Sequence, residues 1–390
     1  MFNRFRLMIR VVVPCGLALV CAVAIGPLPK IQAQPASTPL YLHVGTSTTG
    51  DLWSAAAPGA PLKQMTNWHY NYAPVLSPDG QYIAYLSAPR SVVSDILANG
   101  ARSGPPPANV WVIKVATGET VQVADQPATA NFDAGGYINR PTPAWSPDSK
   151  QLAWLELAGY SGGKPQYQLV AYDISDFKAP KNTFIVKNAP GYMLPANGMV
   201  GERVAWSAAG IAYTVESGTD ASSGQVIPPM LYLFDAHGAR LDSQTLTDQT
   251  CGVFGWTSDA QPVLVLCQLV NRVPTYDVYN PSDQTVTSLE QFGDLHLLPP
   301  NSSEIRQLIW VPARISGYGW QLDGSNTLLD DPLAISPDGQ TVVSIGDRLA
   351  YTVHDQNSAT DVPISILKPD DWFDSIDWIG WGPTNLKFEK

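Results

Sequence analysis

Histidine, cysteine and positive charge are all scarce in this 390-residue chain, which holds 5 His, 4 Cys and 23 Lys and Arg against 34 Asp and Glu. His43, His69, His237, His296 and His354 are scattered singly, without the short intervals at which imidazoles share a metal ion. Two cysteines fall in the first 33 residues, leaving Cys251 and Cys267 with no His or second Cys pair beside them. No metal and no cofactor is expected from that inventory. The basic residues form no run and no stripe interleaved with aromatics, so nucleic acid and anionic membrane surfaces are not expected partners. Charged residues make up only 15% of the chain while 45% is apolar, a balance that supplies a large core.

The first 33 residues are a different kind of sequence. Arg4, Arg6 and Arg10 precede an uncharged run from Val11 to Pro29, and Ile31-Gln32-Ala33 ends on a small residue, the pattern of a secretory signal. An N-terminal anchor is the competing reading, with Pro14, Gly16 and Gly26 weakening it as a span. The bulky Val20 ahead of Cys21 argues against lipidation. The expectation is an exported protein, periplasmic, cell-surface or secreted. Without Arg4, Arg6, Arg10 and Lys30 the balance is 19 minus 34, or -15. Residues 34–39 read as a linker, and 40–390 as one domain.

Within that domain one pattern recurs. Ala73-Pro74-Val75-Leu76 runs into Ser77-Pro78-Asp79-Gly80 and returns as Tyr82-Ile83-Ala84-Tyr85-Leu86. Pro presets φ and Asp and Gly accept the turn, so each copy is a β-hairpin. Positions equivalent to Ser77 are Ser146, Ser207, Thr257, Ser336 and Gly382, at spacings of 69, 61, 50, 79 and 46 residues. Periods of roughly 40 to 50 residues, lengthened by loops, indicate four-stranded blades around an axis. The expected fold is all-β, a six-bladed β-propeller with four-stranded antiparallel blades. The repeat sets are 72–125, 141–187, 202–246, 251–289 and 331–364. A sixth blade joins Leu40 to Val44, Asp51 to Ala55 and Leu62 to Thr66 with Ser375 to Trp381 from the other end of the chain. Residues 290–330 lack the turn and read as an insertion, with a degenerate seventh blade as the other reading.

Ser77-Pro78-Asp79-Gly80 and Ser336-Pro337-Asp338-Gly339, each with an aliphatic residue before and a β-strand after, resemble the WD40-like (PD40) repeats of TolB-type propellers. The resemblance implies an exported, non-enzymatic propeller that binds a protein segment or envelope component at its axial mouth. TolB proteins carry a separate α/β domain ahead of the propeller, whereas the first strand here is expected at about Leu40.

Trp145, Trp206, Trp256 and Trp381 share one repeat position, which assigns them to the packing between blades. Cys251 and Cys267 lie symmetrically about residue 259 on one hairpin. Opposed residues at a non-hydrogen-bonded site are about 4.5 Å apart at Cα, at the short end of disulfide geometry, so a disulfide is expected. A bulge would leave two buried thiols instead.

Gly159-Tyr160-Ser161-Gly162-Gly163 matches the Gly-x-Ser-x-Gly elbow in letters. A strand-like run follows where the elbow needs a helix, so it reads as a hairpin loop and no catalytic residue is assigned. Asp330-Asp331, Asp370-Asp371, Asp374 and Asp377 lack the alternation of a calcium loop and read as solvated acidic loops.

What converges are the loops entering the innermost strands, which ring the axial mouth. They supply the candidate ligand-binding residues Trp68, His69, Tyr70, Asn71, Tyr137, Asn139, Arg140, Tyr192, Asp371 and Trp372. Aromatic bodies with polar tips suit a binding surface, and plugging of the channel is the other reading. Residues 91–107 read as a long loop, a rim or lid on the same face. The alternative function is a glycan-binding protein or carbohydrate-active enzyme using this mouth. Cleavage of a glycoside would require two carboxylates about 5 to 9.5 Å apart, for which Asp331 and Asp371 are the nameable pair.

Overall fold

The computed structural model describes residues 39–46, 48–99, 106–128, 130, 136–162, 164–191, 204–215, 218–219, 226–246, 250–256, 261–266, 275–288, 296–298, 308–313, 317–322, 328–329, 333–336, 341–345, 350–354, 359–364, 366–367, 375–381 and 387–389. The segment read as a signal lies outside them. Among the described residues no helix is long and apolar enough to cross a membrane.

The chain is mostly β, organised as successive antiparallel sheets of four strands. The first contains Leu40–Thr46, Thr49–Ala55 and Lys63–Gln64, and its fourth strand is Ser375–Trp381. Leu40 pairs with Trp381, Leu42 with Ile379 and Val44 with Ile376, with an irregularity between His43 and Val44. The second sheet is Asn71–Leu76, Tyr82–Ser87, Asn109–Lys114 and Thr120–Ala124; the third is Ala144–Trp145, Gln151–Ser161, Lys164–Asp173 and Lys181–Lys187. The fourth is Ala205–Ser207, Gly210–Val215, Met230–Phe234 and Arg240–Thr245, and the fifth Thr250–Trp256, Pro262–Leu266, Thr275–Asn280 and Thr285–Ser288. Residues of the 290–330 stretch make a sheet from His296–Leu298, Leu308–Ala313, Gly317–Leu322 and Leu328–Leu329, extended by Lys387–Glu389. Leu333–Ile335, Val342–Ile345, Ala350–His354 and Ala359–Pro363 form another.

Apolar faces of neighbouring sheets meet in a series of clusters. Tyr41 and Leu52 of the first sheet pack with Ile83, Tyr85 and Ile113 of the second. Leu86 and Val110 of the second pack with Trp145 and Trp154 of the third, Leu155 and Leu169 of the third with Ile211 and Tyr213 of the fourth, and Leu231 of the fourth with Val253 and Leu264 of the fifth. Val343 and Tyr351 pack with Leu40 and Leu42, back at the first sheet. The repeated tryptophans sit in these seams, and Trp145 and Trp256 add a directed bond. Trp145 Nε1 donates to the Val75 carbonyl at 3.0 Å and Trp256 Nε1 to the Ala205 carbonyl at 3.1 Å. Val75 and Ala205 both lie two residues before the turn serine of their own repeats, so the same bolt is used twice.

The Ser-Pro-Asp-Gly turn is held by its serine. Ser77 Oγ donates to Asp79 Oδ1 at 2.6 Å and accepts the Tyr82 N–H at 2.9 Å, while Gly80, at φ 70°, sends its N–H to the Ser77 carbonyl. Ser146 and Asp148 repeat the arrangement, and Ser149, at φ 61°, accepts the Asp79 N–H on its hydroxyl, linking two turns. Ser336 accepts the Thr341 N–H in the same way. Because Ser77 is buried, Ser77→Ala orphans a strand N–H and is expected to cost about 1–3 kcal/mol. A urea denaturation curve measures it, and a loss below 0.5 kcal/mol contradicts this role.

Two expectations need correction or qualification. The segment read as a loop from residue 91 begins with an α-helix, Arg90–Asn99. Val92, Val93 and Ile96 recur at helical spacing and bury one face; Ser91, Ser94 and Asn99, which favour turns and caps, mask that period. For the cysteines, Cys267 lies outside the described residues. The hairpin carrying Cys251 is asymmetric: its pairing moves from Trp256 with Pro262 to Gly252 with Val265 and Thr250 with Leu266. Cys251 falls at the irregularity between Thr250 and Gly252.

Candidate functional site

Three of the predicted aromatics, on the segments that join the first sheet to the second and the second to the third, come together. Trp68, Tyr70 and Tyr137 pack with Ile96 around Ala88, Val92 and Val93, so the helix Arg90–Asn99 forms the floor of an aromatic cluster. The Trp68 and Tyr70 rings lie 5.9 Å apart, tilted by 53°. Trp68 Nε1 donates to the Ala88 carbonyl at 2.7 Å and the Ala88 N–H to the Tyr70 carbonyl at 3.0 Å. These bonds fix the loop to the start of the helical segment. The guanidinium of exposed Arg90 sits over the Trp68 ring, 5.8 Å from its centroid.

His69 projects from the same loop and is exposed, its ring edge-on to Tyr70 at 6.0 Å. Its φ of 66° is an unfavourable conformation for a residue with a side chain. Both of its backbone groups explain why it persists: the N–H donates to Asp51 Oδ1 at 3.2 Å, and the carbonyl accepts the Gly50 N–H at 3.0 Å. Strain held in place by surrounding bonds is a mark of functional loops.

Beneath the loop lies a buried polar network that the sequence reading missed. Asp51 Oδ1 accepts from Thr66 Oγ1 at 2.8 Å, Asn71 Nδ2 at 2.9 Å and the His69 N–H. The Asn71 carbonyl accepts from His43 Nε2 at 2.8 Å, and His43 Nδ1 donates to the Asp377 carboxylate. Both ring nitrogens face acceptors, an arrangement that the imidazolium form satisfies with a donor on each nitrogen. Burial alone lowers its pKa; the Asp377 bond and charge, the Asn71 carbonyl and the Asp51 charge outweigh it, and the net shift is upward. Gly50 has to be glycine, since a Cβ there would lie 2.6 Å from His43 Nε2.

The remaining predicted residues divide. Asn71 is buried, with its side-chain amide given to Asp51. Asn139 exchanges backbone hydrogen bonds with Leu157 at 3.0 and 3.1 Å, extending the third sheet at this end. Arg140 is buried between the second and third sheets: Nε pairs with Glu156 at 2.9 Å, and the other nitrogens donate to the Ala108 and Asp125 carbonyls at 3.0 and 2.9 Å. Its guanidinium acts as an internal strut. Tyr192, Asp371, Trp372 and Asp331 lie outside the described residues.

Ser161 pairs with Lys164 across a hairpin, the context of a loop tip rather than a nucleophile elbow. No group of three or more His, Cys, Asp or Glu side chains gathers as metal ligands among the described residues.

No family model and no curated protein matches the chain. It is similar in part to several solved structures. An acylaminoacyl peptidase in complex with a chloromethyl ketone is 10% identical at a TM-score of 0.48, covering 83% of this chain and 50% of that one. The β-propeller domain of the Trilobed protease from Pyrococcus furiosus is 11% identical at a TM-score of 0.45, covering 83% and 93%. An oligogalacturonate lyase from Vibrio parahaemolyticus is 11% identical at a TM-score of 0.41, covering 83% and 78%. Likeness at this level extends to no substrate or reaction.

Proposed function

We propose that this chain is an exported, TolB-like β-propeller of seven blades that binds a segment of another protein, or an envelope component, at the end of the molecule carrying Trp68, His69, Tyr70 and Tyr137. The blade count rests on the successive sheets, including the one built from residues 290–330, and on the seams between neighbours. Pairing of Leu40–Thr46 with Ser375–Trp381 supports closure of the ring within one blade. The signal-like first 33 residues support export.

The observation that carries the binding role is the exposed His69, held on a strained backbone beside a gathered aromatic cluster. Such a cluster offers large contact area with polar tips. Arg90 lies over one face of Trp68, which leaves that face closed to a stacked sugar ring and favours a peptide over the glycan alternative.

The test uses the full chain, immobilised, against a solubilised envelope fraction of the source cells. A His69→Asn and Arg90→Ala double variant removes two exposed groups, and asparagine tolerates the positive φ. A protein retained by the wild type and bound about tenfold or more weakly by the variant is the expected result, the size of an interface hot spot. Retention of polysaccharide in its place moves the reading to glycan binding, and equal retention by both proteins removes the site from this surface.

A further inference from the structure

His43 joins three parts of the chain that are far apart in sequence. It lies on Leu40–Thr46, its Nδ1 reaches Asp377 of Ser375–Trp381, 334 residues away, and its Nε2 reaches the carbonyl of Asn71 at the edge of the second sheet. Asn71 passes the connection on, since its side chain holds Asp51, and Asp51 holds Thr66 and the backbone of His69. The imidazole is fully buried while Asp377 is 27% exposed, so one end of the network touches water.

We propose that His43 is a protonation-controlled fastener: as an imidazolium it clamps the strand Ser375–Trp381 to Leu40–Thr46 and to the loop 66–71, and loss of its proton gives up one of these two contacts. A neutral imidazole has one donor nitrogen for two acceptors, so either the Asp377 carboxylate or the Asn71 carbonyl then faces a lone pair inside the protein. Neither position offers an alternative donor from the ring. Release of Asn71 would loosen Asp51, and with it the bond that holds His69 in its strained conformation.

The groups that act on His43 are identifiable from every packed element. Asp377 lies on one neighbouring strand and Asp51 on the other, and both favour the cation. The Asn71 carbonyl faces it from the second sheet. Tyr85, also of the second sheet, feels Asp51, and burial followed by that charge raises its pKa, so it stays neutral. No lysine or arginine among the described residues contributes to the shift of His43. The sign follows. A histidine whose folded pKa exceeds its unfolded value of about 6.5 stabilises fully below that value, and the contribution disappears as pH rises through the folded pKa.

The experiment follows histidine ring resonances of the full chain by NMR across pH, together with backbone amide hydrogen exchange expressed as protection factors. His69→Asn is used throughout, so that the other imidazole of the region does not interfere, and His43 is assigned from Asp377→Asn, which perturbs its resonance. Its titration is expected above the free-imidazole value. Protection of whichever of Ser375–Trp381 and Asn71 loses its donor should fall through that titration, about tenfold for each unit by which the folded pKa exceeds the unfolded one, while Val110–Ile113 stays protected. Asp377→Asn should move the transition to lower pH. A His43 that titrates at or below the free value, one that keeps its proton until the whole chain unfolds, or exchange that ignores its titration each overturns the proposal.

Discussion

Arg140→Met is expected to destabilise the fold by about 3–5 kcal/mol, because it leaves the buried Glu156 carboxylate without its cation. Glu156 would keep the Trp154 Nε1 bond at 2.9 Å and the Gln168 amide, but these neutral donors do not replace a guanidinium. Two main-chain acceptors, the carbonyls of Ala108 and Asp125, also lose a donor. Gln126 continues to donate to Ala108, so the damage concentrates on Glu156 and Asp125. A double variant, Arg140→Met with Glu156→Leu, should recover part of the loss, since an apolar pair of similar volume often matches a buried ion pair. Recovery stays partial because Trp154 Nε1 and the Asp125 carbonyl are then unpaired. Denaturant midpoints of the two single variants and the double form the cycle. Additive losses in the two single variants would contradict the pairing. Any binding lost in Arg140→Met should return with the fold in the double variant, which distinguishes a strut from a ligand contact.

Trp145→Ala is the second large effect, at about 3–5 kcal/mol for truncating a buried indole. The indole fills the seam between the second and third sheets beside Leu152 and Trp154, with the Tyr82 ring stacked at 6.1 Å. Its N–H is the donor to Val75. Trp145→Phe keeps most of the apolar volume and removes that bond. The difference between the two variants therefore separates packing from the hydrogen bond, with about 1 kcal/mol expected for the latter. The same comparison at Trp256, whose indole donates to Ala205, tests whether the bolt is a property of the repeat. A thermal unfolding series on the four variants and the wild type decides it, and a near-zero effect of Trp145→Ala would mean the seam closes without the indole.

The strands and turns were legible because their signals are local. Ser77, Asp79 and Gly80 act on each other within four residues, so their pattern announces the turn directly. The pairing of the two chain ends was legible for a different reason: three strands at one end lacked an innermost partner and one at the other end lacked a sheet. The helix Arg90–Asn99 was hidden by its brevity, with two buried valines as its main signal. At the site, Trp68, Tyr70 and Tyr137, singled out by their aromatic character, pack in one cluster. Polar identity misled at Arg140 and Asn71, since a sequence does not say whether a polar tip meets solvent or a buried partner. Asp51 and Asp377 were unreadable as a network, because their connection through His43 depends on strand register.

The pairing of Leu40–Thr46 with Ser375–Trp381 also sets an order of events during synthesis. Sheets two to five are each built from strands close together in sequence and can form as the chain emerges, whereas the first sheet has to wait for residues more than 330 positions later. Contacts of such sequence separation raise the mean contact order and slow the final step of folding. Until then, one edge of Leu40–Thr46 presents unpaired backbone groups to any strand that reaches it first. A nascent chain is therefore open to mispairing along Leu40–Thr46 for most of its synthesis, and release of the polypeptide before Ser375–Trp381 is made would leave that hazard permanent.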